Sequence, residues 1–276
     1  MLLEVNAPLA LERSGDELRG LHFERLAKAW ERACFDAADR LLVVSSPLRD
    51  YLLEQGVETP VEVIPNAIHT ELYAEPPAGE AIRAQWGIEP DAVVVGFVGF
   101  IRAWHGVDGL LRAVDKIARE RDGARPPVVL LVVGDGPALP ELRAAAAEMC
   151  GPARVVFTGR VDHAEIPPYL GAMDITVSPK TTFYACPLKL LEYLAAGTAV
   201  VAPHSANILD VVEPDVDALT FPPDDEEALT DAVRRLVNDE SLRQRVGQRG
   251  RARVLEERTW DHNARRVESL VDGRGV

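Results

Sequence analysis

Residues 93–98 read Val-Val-Val-Gly-Phe-Val, and residues 128–133 read Val-Val-Leu-Leu-Val-Val. A strand with one wet face alternates apolar and polar side chains. Two unbroken apolar runs of this length therefore fit strands buried on both faces, the habit of parallel sheets covered by helices. Shorter apolar runs at 154–157, 175–177, after Gly197 and at 218–221 are interleaved with helical segments at 107–120, 138–149 and 164–172. Further helical segments lie around 208–212 and at 224–238, 241–257 and 260–271. Strand and helix alternating almost throughout predict an α/β fold with a Rossmann-like parallel sheet.

The first quarter of the chain repeats the pattern less completely. It offers strands at 2–5, 41–44 and 61–64, a helix at 47–55 stopped by Gly56, and a long helical segment at 14–38. In that segment Leu18, Leu21, Leu26, Ala29 and Ala33 fall roughly on one side. These pieces amount to part of a second Rossmann-like sheet, and the Pro-rich passage Ala-Glu-Pro-Pro-Ala-Gly-Glu at 74–80 reads as a connection. The expected organisation is a partial N-terminal domain at 1–66, a linker at 67–80, a complete domain at 81–258 and a final helix at 259–276.

The stretch 174–201 carries the chemistry. A short strand runs into a loop with Lys180, Thr181, Thr182 and Tyr184, and a helix then opens at Pro187 and ends at Gly197. Proline suits the first positions of a helix and glycine the place just past its end. Strand, loop, helix mouth and strand form a βαβ unit, which holds ligands beyond the carboxyl ends of its strands. The free N–H groups of the helix mouth favour a phosphate. Glu192, set among Leu190, Leu191, Leu194 and Ala195, can accept two hydrogen bonds from a sugar diol or can pair with Lys189 one turn before it.

Composition narrows the classes. With 276 residues, 47% hydrophobic and 27% charged, the chain can bury a core in one large or two modest domains. A net charge of -14 argues against nucleic acid as a partner. Cys34, Cys150 and Cys186 show no CxxC spacing, no apolar run has transmembrane length and no signal peptide is evident. These features predict a cytoplasmic protein, in solution or peripheral to the membrane. No His/Cys cluster implies a metal, and no serine or cysteine triad can be traced. His22, His163, His204 and His262 lack metal spacing or a carboxylate at helical distance and read as structural.

The ordered runs VGFVGFIRAWHGVDGLL, LLVVGDGPALPELR, VVFTGRVDHAEIPPYLGAMDITVSP and FYACPLKLLEYLAAGTAVVAP resemble the donor-binding half of the GT-B glycosyltransferases of family 4. The earlier runs AADRLLVVSSPLRDYLLEQGV and VEVIPNAIH are similar to the end of that family's acceptor domain and its hinge. The resemblance implies a GT-B fold and metal-independent transfer of a sugar, with retention of configuration, from a nucleotide-sugar donor to an acceptor hydroxyl. The nucleotide sugar is a substrate, and no cofactor is implied. The acceptor would be a glycan, a lipid-linked or a small molecule. Glu192 matches the second carboxylate of the family's E-x7-E pattern, which holds the ribose, whereas Tyr184 stands where the first would be. The amides of Cys186 and Leu188, with Lys189, match the loop that cradles the distal phosphate.

The family's phosphate-binding Arg and Lys fall here at Phe100 and His105. Arg102 and a protonated His105 are then expected to neutralise the diphosphate, unless His105 only shapes the turn before Gly106. Gly99 permits close approach of backbone and ligand, and Arg160 matches the place where relatives touch the base. Asn66 matches the hinge asparagine and reads as a turn former. The final helix would cross back onto the N-terminal domain. The family's acceptor-side residues come from a first half with no counterpart in this sequence, so no catalytic residue is assigned. Two other readings remain: a nucleotide-sugar-binding subunit of a split enzyme, and a sugar-nucleotide epimerase on the same fold.

Overall fold

The computed structural model describes residues 1–14, 22–121, 126–149 and 153–272. Among these residues the chain begins with β1 (Leu2–Val5), α1 (Leu9–Ser14), α2 (Glu24–Asp36), β2 (Arg40–Val43), α3 (Ser46–Glu54) and β3 (Val61–Val63). It continues with α4 (Glu80–Gln85), β4 (Val93–Val98), α5 (Val107–Glu120), β5 (Val128–Val133), α6 (Leu139–Glu148) and β6 (Arg154–Gly159). Next come α7 (Ile166–Gly171), β7 (Ile175–Val177), α8 (Leu188–Ala196), β8 (Ala199–Pro203), α9 (Ala206–Leu209) and β9 (Leu219–Phe221). Three helices close the chain: α10 (Glu226–Asn238), α11 (Glu240–Glu257) and α12 (Trp260–Val271). The chain divides into two compact units, one of residues 1–66, 182–186 and 206–211 and the other of the rest.

The first unit is built on a parallel sheet in the order β1-β2-β3. Its α3 starts where Ser45, in an extended conformation, accepts a hydrogen bond from the Leu48 N–H, a side-chain cap of the usual kind. Leu48 and Leu52 bury the inner face of that helix. The long helical segment read from 14 to 38 is otherwise arranged: α1 ends at Ser14, α2 starts at Glu24, and 15–21 lie outside the described residues. Of the residues that fall on one side of that segment, Leu26 is 56% exposed and Ala29 and Ala33 are exposed too. Phe35 is the residue of α2 that is buried, because it lies where the helix runs into β2.

The second unit carries a six-stranded parallel sheet in the order β6-β5-β4-β7-β8-β9. Every residue of β4 and β5 is buried, as unbroken apolar runs require. Helices α5 and α10 cover one face, where Phe97, Leu110, Val114, Leu130, Val132, Val201, Val233 and Leu236 join one core. Helices α8 and α11 pack on each other and on β8. The segment read as one helix at 164–172 begins as a 3-10 turn, His163–Glu165, before α7, because Pro167 and Pro168 have no N–H to give to an α-helical ladder. Strand β6 runs two residues beyond 157, with a register shift that sets Val133 opposite Gly159. Within 67–80 a 3-10 turn at Thr70–Tyr73 buries Tyr73 to 2% exposure.

Candidate functional site

Strand order reverses between β4 and β7, since β5 and β6 lie to one side and β8 and β9 to the other. In doubly wound sheets ligands settle beyond the carboxyl ends of the strands at such a point. The two strands pair only at Val95 and Gly96, whereas β4 stays paired with β5 as far as Val98. The gap left by this splay is filled from α8 by Tyr193, which is fully buried. The Val98 N–H donates to the Tyr193 hydroxyl at 2.8 Å, and that hydroxyl donates to the Val98 carbonyl at 3.2 Å. One phenol thus satisfies both backbone groups that the sheet leaves free at the end of β4.

The turn after β4 is locked by glycines. A Cβ on Gly134 would lie 2.0 Å from the Gly99 carbonyl oxygen, and one on Gly136 would lie 2.2 Å from that of Ile101. The Ile101 N–H donates to the Asp135 carbonyl at 2.9 Å, tying the loop after β4 to the loop after β5. Gly99 itself has φ +149, a region side chains rarely enter, and a Cβ there would stand 3.5 Å from Lys189 Nζ.

Lys189, Glu192 and Tyr193 follow one another at helical spacing on α8, three and four residues apart. The Lys189 ammonium lies 4.6 Å from the Phe97 ring centroid and makes no ion pair among the described residues. Burial pulls its pKa down to about 8. A half-buried cation whose neighbours are a ring face and a glycine turn lacks a counter-ion, and α8 adds first-turn N–H groups with no intrahelical acceptor at Leu188 and Lys189. Leu188 is half exposed. Pro187 stands at the cap of α8, one position earlier than the first turn in which it was expected.

Glu192 does not pair with Lys189. Its Oε1 lies 2.8 Å from Nε2 of His163, and its side chain is 16% exposed against 73% for the imidazole. Burial raises the Glu192 pKa, and the His163 contact opposes that rise. His163, which has no carboxylate at helical distance, thus meets one that lies 29 residues away in sequence.

In the free chain His105 is not held as a cation. The imidazole is buried, its Nδ1 accepts the Arg102 N–H at 3.3 Å, and its ring centroid lies 3.9 Å from that of Trp104. Burial first, then the nearby Lys189 charge, lowers its pKa to about 4, so it is neutral near pH 7. It staples the loop from Phe100 to Gly106. Arg102 is exposed and stacks 5.2 Å from the Phe100 ring centroid. Lys180, in the loop after β7, is engaged with Asp224 at 2.7 Å. Arg160 is exposed just beyond Gly159, where a Cβ would meet nothing within 4 Å.

Tyr184 and Cys186 belong to the first unit. Tyr184 is 8% exposed, its carbonyl accepts from the Ser45 hydroxyl at 2.7 Å, and its phenol meets the Thr182 side chain. Little of its ring is left for a ligand. Cys186 is buried, and its carbonyl accepts from Asn66 Nδ2 at 2.7 Å.

The family described as "Glycosyl transferases group 1" matches residues 92–239, and "Glycosyltransferase Family 4" matches residues 12–72. The chain belongs to the group 1, family 4 glycosyltransferases. It is 31% identical to alpha-maltose-1-phosphate synthase of Mycolicibacterium smegmatis, over 85% of this chain and 63% of that one. It is 28% identical to the GDP-mannose-dependent alpha-(1-6)-phosphatidylinositol monomannoside mannosyltransferase of Mycobacterium tuberculosis, over 90% of this chain and 65% of that one. The chain thus spans 63% and 65% of the length of these glycosyltransferase relatives. Two solved structures share the fold. Anabaena HepE in complex with UDP-glucose has a TM-score of 0.80 at 20% identity, covering 98% of this chain and 72% of that one. Sucrose-phosphate synthase from Thermosynechococcus elongatus has a TM-score of 0.78 at 23% identity, covering 99% and 67%. Among the described residues no helix is long and apolar enough to cross a membrane.

Proposed function

We propose that this chain binds a nucleotide-diphosphate sugar at the carboxyl ends of β4 and β7 and serves a glycosyltransferase that passes the sugar to an acceptor hydroxyl with retention of configuration. The observation that carries the reading is Lys189, a half-buried ammonium with no carboxylate partner among the described residues, set against Gly99 at the mouth of α8. An anion fits there, and a diphosphate supplies it. Gly99 lets the phosphates approach the backbone, and Arg102 on the adjoining loop adds positive charge from solvent. His105 holds that loop in shape as a neutral ring. Glu192, three residues beyond Lys189, accepts from the ribose hydroxyls. Arg160, at the end of β6, lies on the base side.

The chemistry follows from charge. As the sugar–phosphate bond breaks, negative charge grows on the departing diphosphate, and donors already fixed at that point stabilise it without reorganising. Lys189 and the first N–H groups of α8 are such donors, and no metal ion is called for in this account. The names of the relatives and neighbours, GDP-mannose-dependent and UDP-glucose-bound, support a nucleotide-sugar donor. A glycan, a lipid-linked or a small-molecule acceptor is consistent with the same donor half. The test is calorimetric titration with UDP and GDP. One of them binds, and Glu192→Ala removes most of the binding. If neither nucleotide binds, or if the variant binds as the wild type does, the reading is refuted.

A further inference from the structure

His163 is an odd partner for Glu192. The carboxylate is 16% exposed and sits deep in α8, while the imidazole is 73% exposed on the 3-10 turn that follows β6. An exposed histidine bonded to a carboxylate adds little to stability, because solvent screens the pair. Its effect on the carboxylate is larger. Bonding Oε1 at 2.8 Å fixes the rotamer of Glu192 and uses one of about four lone-pair positions. Oε2 makes no hydrogen bond among the described residues. The free carboxylate oxygen is not sealed from solvent, so two adjacent ligand hydroxyls can reach it and donate to it. The turn also follows directly on Gly159, Arg160 and Asp162, so His163 reaches Glu192 from the segment proposed to face the base.

We propose that His163 is a positioning residue of the nucleoside subsite: it holds Glu192 so that the free carboxylate oxygen receives the ribose diol. This rests on the reading of Glu192 as the ribose ligand. The other titratable groups acting on Glu192 are the phenols of Tyr73 and Tyr193, both pushed further up by burial and so neutral through the acid range. Lys189, on the same helix, is directed to Phe97. Burial raises the Glu192 pKa and His163 counters it, so removing the imidazole leaves burial unopposed. The carboxylate then takes up its proton at a higher pH, and diol binding is lost earlier as pH falls.

The test is calorimetric titration of wild type, His163→Ala and His163→Gln with UDP, 2′-deoxy-UDP and 3′-deoxy-UDP between pH 5 and 8. If GDP is the tighter ligand, its analogues are used instead. Wild type binds the ribonucleotide more tightly than the deoxy forms. His163→Ala binds it about tenfold more weakly, the loss of one oriented charge-assisted hydrogen bond. It also discriminates less against the deoxy forms, and its acid limb moves to higher pH. His163→Gln, which keeps a neutral donor, recovers affinity and discrimination. An alanine variant with wild-type affinity, discrimination and acid limb overturns the proposal while leaving the ribose assignment standing. So does an equal loss in both variants. If wild type fails to distinguish ribose from deoxyribose, the assignment of Glu192 falls and takes the proposal with it.

Discussion

Replacing Lys189 by methionine should make the free protein more stable and the nucleotide complex weaker, and both effects can be sized. In the folded protein the Lys189 pKa is about 8 against an ordinary 10.5. At about 1.36 kcal/mol per pH unit, keeping this ammonium charged at pH 7 costs at most about 3 kcal/mol. Methionine keeps the stem packed on Phe97 but gives up the cation–π contact, worth about 1 kcal/mol. The net expectation is a gain of about 1–2 kcal/mol at pH 7 in urea denaturation without ligand. The sign in pH follows from linkage. Between 8 and 10.5 the unfolded chain holds a proton that the folded chain has lost, so wild-type stability rises with pH in this window. The advantage of Lys189→Met should therefore shrink through that window and vanish above it. With UDP or GDP the order reverses, because the same charge faces the diphosphate. Affinity should fall about a hundredfold in the variant, and in wild type it should decline as pH climbs past about 8. A variant that is less stable at pH 7 and binds nucleotide as well as wild type would refute the argument.

Two further outcomes test the scaffold. Tyr193→Phe strands the buried N–H and carbonyl of Val98 and should cost about 2–3 kcal/mol in urea denaturation, with weaker nucleotide binding because the Gly99 turn loses its anchor. Gly134→Ala forces a side chain into φ +128 and onto the Gly99 carbonyl, so nucleotide binding measured by calorimetry should disappear even where circular dichroism still shows a folded chain.

The strands of the second unit were legible because β4 and β5 are apolar on both faces, as strands covered on both sides by helices are. Glu192 stood out as a carboxylate in an apolar helix, and Lys189 as a cation at a helix mouth. Their partners could not be read. The contact with His163 joins two residues with no periodic relation, and it forms where α7 and the 3-10 turn before it pack against α8. Tyr193 looks like one more apolar position until the splay of β4 from β7 gives its hydroxyl two backbone partners. The burial of His105 beside Lys189, which lowers its pKa in the free chain, could not be read either, because sequence shows a residue type and not its surroundings. Leu26, Ala29 and Ala33 gave a helical stripe without saying what covers it, and among the described residues they face solvent.

The most direct measurement is a crystal structure of the chain soaked with UDP or GDP, whichever binds. The account places a phosphate oxygen within about 3.2 Å of Lys189 Nζ and both ribose hydroxyls at hydrogen-bonding distance from Glu192. A nucleotide bound away from the ends of β4 and β7, or one whose ribose leaves Glu192 untouched, would contradict it.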